Sequence, residues 1–250
     1  MTRLTLRCWR GPGPITPPLL WRATPSRLAR VDRLARGKHR SSMSRVGGSP
    51  DGERVNLSYE RGDKMANLNI TVEEHVVLFA DVHDYSKISR ALGVDAYGFL
   101  QEMYEKLGDI IVEHGGTIVK YLGDALLCMF PADAENEAVD CALKLRPAFA
   151  QSVSRRGLFI ETELEIGIAS GPVATGSFGH RSLLQWDVLG EEVIRAETIG
   201  HHRGIAITER VHDRVKSNHP VRRLPDFNVK WQTEPLKVWE VSGGGYRGAL

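Results

Sequence analysis

The sequence predicts an α+β sandwich, with helices on one face of an antiparallel sheet. Three observations carry that prediction. An apolar run ending in an acid, at residues 75–81, leads into long helical periodicity. A tight hairpin follows at 117–130. A second helical stretch, at 133–153, then leads into further strands. The order is β-α-β-β-α-β with C-terminal additions, the ferredoxin-like arrangement.

Residues 1–64 lie outside that pattern. They carry Gly11-Pro12-Gly13-Pro14, Ser clusters, many Arg and few periodic apolar positions. Such a stretch buries too little apolar surface to offset its ordering entropy, so it is expected to be a disordered leader. Its Arg-rich, acid-poor composition also suits a mitochondrial transit peptide. A third reading has translation starting at Met43 or Met65. The expected organisation is a leader over 1–64, one folded domain over 65–242 and a flexible tail over 243–250.

Within the folded part, His75-Val-Val-Leu-Phe-Ala-Asp81 reads as a buried strand with a carboxylate at its C-terminal end. Leu92, Phe99, Leu100, Met103, Leu107, Ile110 and Ile111 recur near 3.6-residue spacing, which predicts an amphipathic helix to His114. Gly115-Gly116 stops it. The hairpin has arms at 117–121 and 125–130, with Gly123-Asp124 at its tip. Pro131 closes its second strand. The helix at 133–153 opens with acids, as the helix dipole favours. Residues 161–170 alternate like a half-exposed strand. Gly171-Pro172 is expected to turn the chain into a separate strand at 173–177. A strand at 183–188, a short helix at 191–199, a strand at 204–208, a helix at 209–216 and closing strands near 228–231 and 236–241 complete the series.

Charge and cysteine usage narrow the function classes. Residues 1–50 hold eleven basic residues against one acid, so the net charge of +2 hides an acidic remainder of about −8. An acidic folded part argues against a nucleic-acid binder. Cys8, Cys128 and Cys141 form no C-x-x-C pair, so neither a disulfide framework nor a zinc site is expected, and a reducing, cytoplasmic setting is the default. No apolar run approaches the roughly 20 residues of a membrane span.

The chemistry centres on Asp81 and Asp124. In a β-α-β-β unit the end of the first strand and the hairpin tip come close together. Two neighbouring carboxylates repel, and a divalent cation relieves that. Magnesium takes one or two carboxylates plus phosphate oxygens, and two ions clamp attacking and leaving oxygens in phosphoryl chemistry. Taken singly, Asp81 reads as a helix cap and Asp124 as a turn residue; the pair reads as a metal site.

Three blocks then carry a family resemblance: Phe79-Ala-Asp-Val-His-Asp-Tyr-Ser86, Lys120-Tyr-Leu-Gly-Asp124 and Trp186-Asp-Val-Leu-Gly190, with a looser Gly176-Ser-x-x-x-Arg181 before the third. Together they resemble the signature blocks of class III nucleotidyl cyclase catalytic domains, over about residues 74–241. The resemblance implies conversion of ATP to 3′,5′-cyclic AMP and pyrophosphate, by attack of the ribose 3′-hydroxyl on the α-phosphorus. It implies two Mg2+ or Mn2+ ions held by Asp81, Asp124 and the backbone carbonyl of Val82. It implies a phosphate-cradling loop of Val82, His83, Asp84, Tyr85 and Ser86, and terminal-phosphate binding by Lys230. Lys120 and Asp187 match the adenine-reading pair, and the site is expected at a homodimer or heterodimer interface.

The pattern departs at one place. Where the family has an Asn that orients ribose and an Arg that offsets charge at the α-phosphate, this chain has Ile194 and Thr198. Neither side chain supplies the missing function. Arg195 lies about a turn away along the helix and reads as a solvated helix residue. His201-His202-Arg203 is a possible source of substitutes that the sequence does not place. Three functional readings follow: an active adenylyl cyclase with substituted groups, a degenerate nucleotide-binding regulatory module, or the metal-supplying subunit of a heterodimeric cyclase.

Overall fold

A computed structural model describes residues 42–49, 52–61, 64–229 and 232–243. Its centre is β3 (Lys64–Val82), flanked in sequence by β1 (Ser42–Ser49) and β2 (Gly52–Arg61). Then come α1 (Tyr85–Leu92), α2 (Ala96–Glu113), β4 (Thr117–Leu122), β5 (Ala125–Phe130), α3 (Glu135–Arg155), β6 (Leu164–His180) and β7 (Leu183–Leu189). The chain finishes with α4 (Glu191–Ile199), β8 (Ile205–Thr208), α5 (Glu209–Val215), β9 (Val221–Arg223) and β10 (Val238–Val241).

The core sheet has the expected order. β3 is flanked antiparallel by β5 on one edge and β6 on the other, and β4 pairs antiparallel with the far side of β5. β8 extends the sheet by running parallel to β6, and β10 and β9 follow it. The run Val76–Ala80 is buried on both faces, which explains why it is continuously apolar rather than alternating. Val76, Leu78 and Ala80 face Ile88, Phe99, Met103, Leu107, Ala138, Leu145 and Phe149 from α1, α2 and α3. Val77 and Phe79 face the other way, onto a smaller cluster with Leu127, Ala169, Val188 and Ala196. Ala196 belongs to α4, so this helix covers the second face of the sheet. The expectation of helices on one face therefore holds for α1, α2, α3 and α5, and α4 is the exception.

Three expectations change. Strands β1 and β2 lie inside the range read as a disordered leader, where β2 pairs with the N-terminal half of β3 through nine residue pairs. Val55 and Leu57 alternate along β2, but the surrounding Arg and Glu hide a two-residue period from a composition argument. Residues 1–41 and 244–250, for which a leader and a tail are expected, lie outside the described residues. The turn expected at Gly171-Pro172 is absent, and β6 runs straight through it. Pro172 sits where the strand's outer edge is open, since β8 covers 166–168 and the β7 ladder starts at Ala174. A proline removes a ladder donor and is tolerated at such an edge. The single helix expected up to His114 is broken into α1 and α2 by a 3₁₀ turn at Gly93–Asp95. Among the described residues no helix is long and apolar enough to cross a membrane.

The position of α4 depends on glycine. A Cβ at Gly167 of β6 would lie 2.0 Å from the Ala196 carbonyl oxygen and 2.6 Å from the Gly200 amide nitrogen. Helix and strand therefore meet backbone to backbone. Gly167→Ala is expected to destabilise the fold by more than about 3 kcal/mol, because the clash is with backbone rather than a movable side chain. Urea unfolding measures this; a loss below about 1 kcal/mol would contradict the packing.

Candidate active site

The site forms where β3 ends. Val82 is the last residue of the strand, and its amide donates to Asp81 Oδ1 at 3.0 Å. Beyond it the chain turns sharply, with Asp84 in the left-handed region at φ 56°. Lys87 closes the turn: its amide donates to the Asp84 carbonyl at 2.8 Å and its ammonium sits 2.6 Å from the Asp84 carboxylate. That hydrogen bond from Lys87 is the main reason the Asp84 carboxyl lies below its ordinary range. Tyr85 and Ser86 then open α1, and the amides of these first two helical residues have no intrahelical acceptor and so suit an anion. The loop is fastened from behind. The His83 amide donates to the Glu163 carbonyl at 2.9 Å, and the Thr162 hydroxyl donates to the His83 carbonyl at 2.6 Å. The His83 ring lies 2.8 Å from Glu165, which faces Asp81 across the β3–β6 ladder.

Asp124 arrives from the other direction. Gly123, at φ 69°, makes the β4–β5 turn possible. The ladder pairs Ala80 with Leu126, which puts the hairpin tip beside the end of β3. Tyr104 of α2 donates its hydroxyl to the Gly123 carbonyl and stacks on Tyr121, with centroids 4.1 Å apart. The tip is thus held against α2. Burial raises the Asp124 carboxyl above the ordinary carboxylate range, and the nearby Asp81 charge adds to it, against a hydrogen bond from its own backbone. The same Asp124 charge acts on Tyr85, whose hydroxyl is also raised, chiefly by burial. The two aspartates and the loop after β3 therefore share one electrostatic environment.

That environment fits a hard cation. It offers carboxylate oxygens whose mutual repulsion an ion would relieve. Among the described residues no group of three His, Cys, Asp or Glu side chains is placed to hold a metal ion by itself. Two carboxylates completed by ligand oxygens are what a phosphate-bound Mg2+ or Mn2+ requires.

Lys120 and Asp187 form a second locus. Lys120 lies on β4 and Asp187 on β7, and the ammonium and carboxylate meet at 2.7 Å, both partly exposed. The other Asp187 oxygen accepts the Val188 amide at 2.8 Å, which fixes the carboxylate's orientation. Lys230 lies outside the described residues.

The departures from the family pattern are plain in the structure. Ile194 is 40% exposed on α4. Thr198 spends its hydroxyl on the Ile194 carbonyl at 2.6 Å. Arg195 is bound to its own helix, with Glu191 at 3.0 Å and Glu192 in direct contact. It is half-buried rather than solvated, as the sequence reading had it. Burial raises the Glu192 carboxyl to about 7, against the lowering effect of Arg195. Arg203 pairs with Glu161 at 3.0 Å and with Glu163. His201 alone of the His-His-Arg run reaches Asp81: its Nδ1 is 3.4 Å from Asp81 Oδ2. Sequence spacing did not show this, because the contact is made by α4 lying across β6 and β3.

Residues 69–243 match the Adenylate and Guanylate cyclase catalytic domain family. An adenylate cyclase of Mycobacterium tuberculosis is 28% identical over 180 residues, which cover 68% of this chain and 40% of that protein. The chain thus spans about two-fifths or less of the length of this and other curated relatives. The crystal structure of the adenylyl cyclase CyaB from P. aeruginosa superposes with a TM-score of 0.64 at 22% identity, covering 69% of this chain and 95% of that one. The guanylyl cyclase Cya2 superposes at 0.61 with 25% identity, covering 70% and 95%. Three sequence blocks, the sheet order they sit on and a family match over most of the chain agree: this chain belongs to the adenylate and guanylate cyclase catalytic domain family.

Proposed function

We propose that the chain is an adenylyl cyclase that closes ATP to 3′,5′-cyclic AMP and pyrophosphate at a dimer interface. The observation that carries this is the convergence of Asp81 and Asp124 beside the loop 82–86. Two divalent ions, Mg2+ or Mn2+, when bound there would lower the proton affinity of the ribose 3′-hydroxyl and neutralise the phosphates. Asp81 and Asp124 hold that charge in place, with the Val82 carbonyl as a further oxygen. The amides from Asp84 to Ser86 at the start of α1 receive the phosphates. Lys87 pairs with the Asp84 carboxylate and offsets its charge, which lessens its repulsion of them.

Base choice rests on Lys120 and Asp187. Adenine presents an acceptor, N1, beside a donor, the 6-amino group. An ammonium beside a carboxylate offers the complementary pair at matching spacing. The β4–β5 hairpin then serves two sites: Asp124 holds metal in one, and Lys120 reads the base in the other across the dimer. Lys230 is assigned to the terminal phosphates on the family pattern.

A second reading is favoured by Ile194 and Thr198: the chain acts as the metal-supplying subunit of a heterodimer, taking Asn and Arg from a partner cyclase chain. An apolar Ile194 exposed on α4 and a threonine bonded to its own helix leave no donor at those positions.

Two outcomes test these readings. Purified protein with Mn2+ and ATP is expected to form cyclic AMP faster than it forms cyclic GMP from GTP. Asp81→Ala and Asp124→Ala should each lower that rate on the order of 100-fold or more. Product that is unchanged in both variants would refute the site. Separately, Ile194→Asn combined with Thr198→Arg is expected to raise the homodimer's rate on the order of 10²-fold. No gain, with ATP binding intact, would show that other groups already fill those roles.

A further inference from the structure

Glu165 belongs to none of the three sequence blocks, yet it touches the loop that follows β3. It is the second residue of β6, and the ladder sets it opposite Asp81. Its side chain is only 7% exposed, and a carboxylate buried to that degree needs a polar partner. The partner comes from the loop: His83 Nδ1 lies 2.8 Å from Glu165 Oε1. The other ring nitrogen, Nε2, lies 3.5 Å from Asp84 Oδ2, and Asp84 in turn meets the Lys87 ammonium at 2.6 Å. Four side chains thus run in series from the start of β6 to α1.

The series holds a turn that an L-residue backbone seldom adopts. Asp84 has φ 56° and ψ 35°, the left-handed conformation that is costly for side chains with a Cβ. This residue sets the direction in which the chain enters α1, and with it where the amides of Tyr85 and Ser86 point. Two side-chain contacts hold Asp84 there, and they differ in strength. The Lys87–Asp84 pair lies at the surface, with 55% and 40% of the side chains exposed, and such pairs contribute little in water. The Glu165–His83 contact lies at the buried end of the series, where water competes less. The segment just before Glu165 also holds the His83 backbone. The His83 amide donates to the Glu163 carbonyl at 2.9 Å, and the Thr162 hydroxyl donates to the His83 carbonyl at 2.6 Å. Residues 162–165 therefore fix His83 by backbone and by ring, and the ring is the part that reaches Asp84.

We propose that Glu165 is a positioning residue for the triphosphate. Through the His83 ring it holds the left-handed turn at Asp84, and so keeps the amides of Tyr85 and Ser86 in the geometry that receives phosphate oxygens. The role depends on the loop 82–86 being the phosphate-binding loop inferred above. Glu165 itself does not touch the nucleotide. It acts from β6, the strand paired with β3, so the loop is set by the same sheet that delivers Asp81.

The full chain is titrated with 3′-deoxy-ATP and Mn2+, a nucleotide with no hydroxyl to cyclise, and separately with inorganic triphosphate. Glu165→Ala should weaken binding of both on the order of 10-fold. Glu165→Gln keeps an acceptor for the His83 ring, so its affinities should stay within about threefold of the unaltered protein. His83→Ala should weaken binding as much as Glu165→Ala, and the double variant should be no weaker than either single one, because the two residues act as one unit. Circular dichroism checks the fold of each variant; His83, which is partly exposed, supplies the reading if Glu165→Ala does not fold. Undiminished binding in Glu165→Ala and His83→Ala, a loss that Glu165→Gln does not restore, or additive losses in the double variant overturns the role of Glu165. The loop's own role stands in those cases provided that Asp124→Asn abolishes nucleotide binding. Nucleotide binding to the unaltered protein that is insensitive to Asp124→Asn overturns both.

Discussion

The structure depends on one strand being buried on both faces. The run Val76–Ala80 supplies apolar contacts to α1, α2 and α3 on one side and to α4 on the other. A strand in that position cannot shift register by one residue without exchanging its two hydrophobic faces. Its C-terminal end is consequently a fixed point, and Asp81 is delivered there with little freedom. Every other group of the site is positioned relative to that point. β5 brings Asp124 by pairing alongside, β6 brings Glu165 from the opposite edge, and α4 brings His201 from across the second face.

The site also shows how packing and electrostatics are traded. Burying Asp124 beside another carboxylate is unfavourable, and the raised Asp124 carboxyl reports that cost. Among the described residues no salt bridge to Asp124 offsets it, and the cations around the site are engaged with other acids. Lys120 is spent on Asp187, Lys87 on Asp84, Arg195 on Glu191 and Glu192, and Arg203 on Glu161 and Glu163. Asp81 keeps His201 and the Val82 amide as neighbours, and Asp124 has no protein cation among the described residues, an arrangement that suits the cation site proposed above.

Much of this was legible in the sequence. Asp81 lies near the end of a strand and Asp124 at a tight turn, each with a local signature, whereas Lys120 and Asp187 lie inside β4 and β7 and were reached only through the block resemblance. The order of elements gave the sheet. What escaped had non-local causes. Strands β1 and β2 are stabilised by pairing with β3, and their charged composition hides a two-residue period. Gly171-Pro172 has turn chemistry, but an open strand edge accommodates the proline. Arg195 looked solvated because its partners, Glu191 and Glu192, are visible only once the helix is built and its burial known. His201 needed the approach of Gly200, at the end of α4, to Gly167, a contact between residues 33 positions apart in sequence.

The account turns on one physical claim, that the acidic pair at the end of β3 holds the cation that handles ATP. The most direct measurement is a crystal structure with Mn2+ and a non-cyclisable ATP analogue, with anomalous scattering recorded at the manganese edge. The account predicts an anomalous peak between the Asp81 and Asp124 carboxylates, with the triphosphate over the loop 82–86 and adenine against Lys120 and Asp187 of a second protomer. A nucleotide bound with its manganese away from these aspartates would contradict it.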